Sequence, residues 1–499
     1  MNGIGQKMNK KENILEEIKP LLTKVSTIVF TNPFSLDRVK IDREITGNYH
    51  TNDFTLLIPH LIKIVSENLT QLDLAGYSSL QDFKKSDQEL MRNVYLFEAY
   101  HNYIFEFDNY IQAQLKKQES NLKVNFTTDL MVLLKKRGFV DSELSHFVSV
   151  FYQLRRAFYF IHNRLIGCST SMQKLRMALW NNIFTHDIFF YEKFLISNME
   201  DFSTLILGET GSGKGAAATS LGSCGYIPFD EKKLTFHTNF VHQLISVNLS
   251  QFSSGLIESE LFGHKKGAFT GAICDHEGIF SRCPPEGSIF LDEIGEVSNA
   301  TQIKLLKVLQ ERTFNKVGDH QNLRFSGRVI AATNQNIEKL MEEGKFREDF
   351  YYRLCSDVIK VPSLHQRISE DKNELSIMLE NVLQRITKSK NEELLHSCIA
   401  IIKKELGLEY TWPGNVRELE QCVRNIIIHK KCHQPINKQF TQNNWQNKML
   451  NGTLSSQELL SHYCCMLYEK EKSYEKVARI TSLDRRTVKK YVDEKNKFD

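Results

Sequence analysis

The chain has little of what would place it outside the ordinary globular class. Nine prolines and 25 glycines in 499 residues are too few for a collagenous or low-complexity protein. Ten cysteines, of which only Cys464 and Cys465 are adjacent and none form a C-x-x-C pair, give neither a disulfide framework nor zinc-ligand spacing. Reduced, mostly buried thiols are the expectation. No run approaches the roughly 18 consecutive apolar residues of a membrane span. The opening MNGIGQKMNKKENILEEIKP also lacks the apolar core of a secretory signal, so a cytoplasmic protein with no membrane partner is expected. Excess charge is missing too: 64 basic against 60 acidic side chains leave +4, so any contact with a polyanion must be local.

What is present is ordinary in amount, 41% hydrophobic and 25% charged, and the length predicts several domains at roughly 100 to 200 residues each. Residues 1–163 read as helical, because Phe97, Tyr100, Ile104, Phe107 and Ile111 recur at helical spacing and define a core face. Over 164–364 the pattern becomes short apolar runs (Thr204–Leu207, Ile289–Leu291, Val329–Ala332), each followed by turns and helical stretches, which predicts an α/β fold with a parallel sheet. Residues 365–431 return to helix as a small lid, interrupted by the turn Trp412-Pro413-Gly414-Asn415. The stretch 432–452 is basic, rich in Asn and Gln, free of acidic residues, and reads as a solvated linker. In 453–499 a helix-sized segment, a break near Thr481 to Leu483 and a second helix capped by Asp484 predict an all-α helix-turn-helix.

Two motifs carry chemistry. Gly208-Glu209-Thr210-Gly211-Ser212-Gly213-Lys214-Gly215 lies between an apolar strand and a helix-favouring segment, the context of a phosphate-binding loop. Glycines let backbone N–H groups converge on phosphate oxygens, and Lys214 supplies counter-charge. A lone glycine loop can also be a tight turn. The residue after Lys214 is Gly215 rather than Ser or Thr, so the hydroxyl that commonly holds Mg²⁺ is missing. Downstream, Ser288-Ile289-Phe290-Leu291 ends in Asp292-Glu293. Such a pair also caps helices, but beside a phosphate loop Asp292 suits Mg²⁺ and Glu293 the attacking water, which points to ATP hydrolysis.

Between these motifs stands Gly267-Ala268-Phe269-Thr270-Gly271-Ala272. On that hexapeptide and its flanks the chain resembles the bacterial enhancer-binding activators of sigma-54 RNA polymerase, which are AAA+ ATPases. The likeness runs from about Leu165 to Ile428 and resumes in the terminal unit. It implies an AAA+ core with ATP and Mg²⁺ as cofactors, a homo-oligomer that forms a hexameric ring when active, and a loop whose aromatic tip contacts the sigma factor. It also implies roles by position: Asn248 pairing with and gating Glu293, Asn334 sensing the γ-phosphate, Arg347 and Arg353 reaching the neighbouring subunit's nucleotide, and Arg417 as a lid sensor. The stretch between Lys214 and Asn248, including Pro228-Phe229-Asp230, is longer than the family pattern and reads as an enlarged surface loop.

The terminal unit is similar to the Fis-type helix-turn-helix of these activators. Arg485, Arg486, Thr487, Lys489 and Lys490 concentrate on its second helix, suited to guanine edges and phosphates of enhancer DNA. The N-terminal third lacks the pattern of a phosphoacceptor receiver. Its Glu98/His101 and Glu143/His146 spacings could ligate metal in a bundle, though polar helix faces turned to solvent are the plainer reading. The expected function is an ATP-driven transcriptional activator. An AAA+ remodeller of another client and a DNA-binding repressor with a vestigial nucleotide site are the alternatives.

Overall fold

The computed structural model describes residues 2–51, 54–117, 122–407, 409–432, 452 and 454–495. The expected linker therefore lies almost wholly outside the described residues. The chain divides into two compact units, Met1–Ile399 with Tyr410–Val423, and Ala400–Glu409 with Arg424–Asp499.

Among the described residues, eight α-helices open the first unit: α1 (Asn2–Phe30), α2 (Leu36–Thr46), α3 (Phe54–Leu74), α4 (Lys85–Asn102), α5 (Ile104–Lys117), α6 (Thr127–Lys136), α7 (Asp141–Arg164) and α8 (Thr170–Phe184). The apolar spacing through Phe97 and Ile111 does mark core, since Phe97, Phe107 and Ile111 are buried. It is shared by two helices, because the α4 helix ends at Asn102 and α5 restarts at Ile104.

A five-stranded sheet follows, built from β1 (Thr204–Leu207), β4 (Leu244–Asn248), β5 (Ser288–Asp292), β8 (Arg328–Thr333) and β9 (Asp357–Lys360) in the order β4-β5-β8-β1-β9. All four pairings are parallel. Two small antiparallel hairpins, β2 (Phe229–Asp230) with β3 (Thr235–Phe236) and β6 (Thr313–Phe314) with β7 (Leu323–Arg324), stand apart from it. The expected α/β class is thus present, and the strands are continuous apolar runs because both sheet faces are covered. Residues opposed in register share a face. Ile206, Phe290, Ile330, Ala332 and Ile359 line one side, Leu205, Ile289, Leu291, Val329 and Ala331 the other.

The first of these faces has no core of its own. Its side chains belong to one continuous apolar cluster with Leu22, Leu61, Tyr95, Phe107 and Phe160 of the N-terminal helices. The segment between Lys214 and Asn248 completes the join, and it is not the simple surface loop expected from its length. Ile227, Phe229, Phe236 and Phe240 are buried, Phe236 stacks on Tyr152 with centroids 4.0 Å apart, and Phe240 meets Phe160 edge-on at 5.2 Å. Polar groups follow: Val124 N donates to Leu234 O at 2.8 Å, and the buried Arg156 guanidinium donates to the carbonyls of Ser223 (2.8 Å) and Gly225 (2.6 Å). Those carbonyls partly satisfy a cation whose burial would otherwise be costlier, its Nε being left without a hydrogen bond.

The second unit contains the terminal helices Ser456–Glu471, Tyr474–Thr481 and Arg485–Lys495, which close around Cys464, Cys465, Val477, Val488 and Val492. The break falls where the sequence predicts it, with Asp484 Oδ1 accepting from Arg486 N at 2.6 Å. Eight cysteines are free thiols, while Cys422 and Cys432 are disulfide-bonded, against the expectation of reduced thiols throughout. Among the described residues no helix is long and apolar enough to cross a membrane.

Candidate functional site

The phosphate loop leaves the C-terminal end of β1 and enters α9 (Lys214–Gly222), so its amides meet the N-terminus of that helix. Gly213 adopts a φ of 112°, a left-handed value that glycine reaches without Cβ strain. Gly211 must also be glycine, because a Cβ there would sit 2.4 Å from Gly414 O. Lys214 Nζ donates back to the carbonyls of Gly208 (2.9 Å) and Glu209 (3.2 Å), which closes the loop around its own ammonium. Gly215 faces open space, so sterics do not require glycine there.

The loop borders a cavity of about 880 Å³. Thr210, Gly211, Ser212, Gly213, Lys214, Gly215, Asn248, Asp292, Glu293 and Arg417 all line it. Gly208 and Glu209 are not among the residues that line it. Ser212 Oγ is buried there with no hydrogen-bond partner. Burial pulls the Lys214 ammonium below its ordinary range, Glu293 and Asp292 oppose that pull, and Arg417 adds to it.

Asp292 ends β5 and Glu293 follows it. Asp292 Oδ1 accepts from Glu293 N at 3.1 Å, and Glu293 holds a φ of 57°, uncommon outside glycine and frequent at working sites. Asn334, one residue beyond β8, ties the parts together: its Nδ2 donates to Thr210 Oγ1 at 2.7 Å and its backbone N to Glu293 Oε2 at 3.4 Å. Asn248 is in register with Asp292, but its side-chain oxygen accepts from Ser250 N (3.0 Å) and Ser250 Oγ (2.7 Å). Among the described residues it makes no hydrogen bond to Glu293.

Two features escaped the sequence reading. Asn415, seen only as part of a turn, is fully buried; its Nδ2 donates to Glu209 Oε2 (2.9 Å) and Thr210 O (3.2 Å), and its Oδ1 accepts from Leu364 N (2.7 Å). The signal was available, since asparagine tolerates the left-handed φ of 53° found there. Arg164, at the end of α7, also lines the cavity and has a buried Nη1 without a partner, so the N-terminal helices supply part of this wall.

Arg347 and Arg353 do not line the cavity. Arg347 forms a two-point pair with Asp349 (3.0 and 2.7 Å), and Arg353 Nε donates to Leu309 O at 2.9 Å. The hexapeptide Gly267 to Ala272 forms a tight loop in which Gly267 N donates to Ala272 O at 2.8 Å. Phe269 at its tip is 37% exposed and meets His264 edge-on at 4.9 Å. The β6–β7 hairpin braces the base, with Lys265 N donating to Val317 O at 3.0 Å.

A family model described as the sigma-54 interaction domain matches residues 187–360. That stretch is a sigma-54 interaction domain. The curated relatives include the Nif-specific regulatory proteins of Azotobacter vinelandii (36% identical over 278 residues, 55% of this chain and 46% of that protein) and Klebsiella pneumoniae (41% over 231 residues, 46% and 40%). The regulatory protein AtoC of Escherichia coli is 36% identical over 226 residues, 45% of each chain. These alignments span less than half of each relative. The sigma-54 interaction domain holds the phosphate loop, Asn248, the acidic pair, the hexapeptide, Asn334 and both arginines, whereas Arg417 and the terminal helices lie beyond it.

In the second unit, Arg485, Arg486, Lys489 and Lys490 are exposed on the last helix, and Thr487 is half-buried among them. The two Glu-x-x-His spacings do not form a metal centre. Glu98 pairs with Arg137 (2.6 Å), Glu143 with Arg92 (2.6 Å) and His146 with Glu192 (2.8 Å), while His101 Nδ1 lies 2.9 Å from Phe97 O. No group of three or more metal-ligating side chains occurs among the described residues.

Proposed function

We propose that this chain is an ATP-hydrolysing transcriptional activator that remodels the sigma-54 RNA polymerase closed complex. The reading rests on one convergence: Lys214, Asp292, Glu293, Arg417 and the unpartnered Ser212 hydroxyl face a single cavity within and beside a sigma-54 interaction domain. Two cations and an orphan donor suit a polyphosphate. Glu293 orients and deprotonates the attacking water, while Asn334, bonded to both Thr210 and Glu293, senses whether the γ-phosphate is present. Asp292 is the protein carboxylate that would hold Mg²⁺ together with phosphate oxygens, and the ion would supply charge neutralisation. Asn248 would have to release Ser250 before it could gate Glu293.

Arg347 and Arg353 stand away from their own cavity, which suits action on a neighbour's nucleotide and hence a ring, with a hexamer the natural closure. Phe269, hinged between Gly267 and Gly271, is the contact to sigma-54. The basic face from Arg485 to Lys490 binds enhancer DNA in the cytoplasm. Functionally we divide the chain into a regulatory part (1–163), the ATPase with its lid (164–364 and 365–431), a linker (432–452) and a DNA-binding part (453–499). The test is deletion of Gly267 to Ala272. The variant should hydrolyse ATP while losing capture of sigma-54 in the presence of a transition-state nucleotide analogue. Undiminished capture would favour a remodeller of some other client.

A further inference from the structure

The helix α7 runs from the core of the N-terminal helices to the nucleotide cavity, and its last residue, Arg164, lines that cavity. Phe151 and Phe160 of the same helix are buried in the apolar cluster, which fixes its course. Its register against the phosphate-loop helix Lys214–Gly222 follows from a series of contacts. Arg156 donates to the carbonyls of Ser223 and Gly225, and one turn further along α7 the Phe160 carbonyl accepts from Ser220 Oγ at 3.4 Å. The two helices therefore run antiparallel. One more turn sets Arg164 beside the start of the phosphate-loop helix, and Gly215 and Ala216 share the cavity wall with it. Gly215 leaves room there, since a Cβ on it would meet nothing within 4 Å.

Other cations around this cavity are occupied. Arg367 Nε donates to Glu374 at 2.6 Å, Arg385 pairs with Glu420, and Lys214 holds two loop carbonyls. Arg164 makes no hydrogen bond or ion pair among the described residues, and its Nη1 is buried without a partner. What it does have is the Phe160 ring, whose centre lies 4.2 Å from the guanidinium carbon. A guanidinium over an aromatic face keeps its N–H groups for acceptors in its own plane. Burial pulls Arg164 below its ordinary range, with no carboxylate among the groups that offset it. A half-buried cation in this state is costly until an anion arrives.

In a phosphate loop the lysine reaches the β- and γ-phosphates, while the amides of the loop cradle the α- and β-phosphates. Leu165, Ile166, Met172 and Leu175 line the same cavity and offer the apolar wall a base needs. Arg164 adjoins Leu165 along the chain and the helix start through space, which is the place of the phosphate nearest the base. We infer that Arg164 is a nucleotide-binding residue supplied by the N-terminal helices, its guanidinium meeting the α-phosphate, so that nucleotide occupancy and the seating of α7 are thermodynamically linked. This rests on the ATP reading above.

The test titrates ATP, ADP, AMP and adenosine into the full chain by calorimetry, for the wild type and for Arg164→Met. The variant should weaken all three nucleotides alike, by about tenfold for one charged hydrogen bond, and leave adenosine within about twofold. Arg164→Lys keeps the charge without the planar fork and should fall between the two. Hydrogen exchange gives a readout on the wild type alone: amides in the last turn of α7 should exchange more slowly once ADP binds. Nucleotide affinities unchanged in Arg164→Met, a loss confined to ATP, an equal loss for adenosine, or wild-type α7 exchange indifferent to ADP would each overturn the assignment. A wild type that binds no nucleotide would remove the ATP reading as well, whereas tight binding that survives Arg164→Met would remove this inference alone.

Discussion

Ser212 Oγ is buried against the phosphate loop with no partner, and an unsatisfied buried hydroxyl costs about 1–3 kcal/mol. Ser212→Ala should therefore melt higher than the parent without nucleotide, yet gain less from added ATP; paired thermal melts read both effects. His101 makes a pH prediction. The unfolded imidazole protonates near 6.5 and the folded one near about 3, so between those values the unfolded chain carries the extra proton. The contribution is complete above 6.5 and is lost as the pH falls towards 3. Urea midpoints at pH 7 and pH 5 should drop less for His101→Leu than for the wild type. At this scale the phosphate loop and acidic pair were legible because their chemistry depends on residue type and spacing. Asn415 was not, because its partners Glu209 and Leu364 are remote in sequence.

Among elements, the terminal helix-turn-helix was readable down to its cap, since Asp484 immediately precedes the basic helix it serves. The pause between α4 and α5 was hidden because the three-and-four spacing of apolar residues continues across Tyr103. The β2–β3 hairpin was misread for a different reason. Strands of two residues have no period to detect, and the rings that bury Phe236 come from Tyr110 and Tyr152, far earlier in the chain. Phe236→Ala should cost about 3–5 kcal/mol in chemical denaturation, an outcome foreign to an exposed loop. The loop carrying Phe269 has its own sensitive neighbour: Gly318 has a φ of 78°, and a Cβ there would lie 2.8 Å from that of Ala268. Gly318→Val should impair sigma-54 capture while leaving nucleotide affinity within about twofold, measured side by side.

For the whole molecule, Arg347 does not line the cavity of its own chain, and its proposed action on a neighbour's nucleotide would make turnover a property of the assembly. Arg347→Ala subunits should bind nucleotide, fail to hydrolyse it, and depress the activity of wild-type subunits more than dilution alone when the two are mixed. Activity that falls only in proportion to dilution would count against catalysis across subunits. The apolar cluster that runs from Leu22 through Phe236 to Ile330 has a practical corollary. A truncated protein beginning after Arg164 would bare Ile227, Phe229, Phe236 and Phe240 together with the side of the helix Lys214–Gly222 that packs on α7. Such a fragment should clump on expression, and an inactive preparation of it would report lost solubility rather than a lost signal.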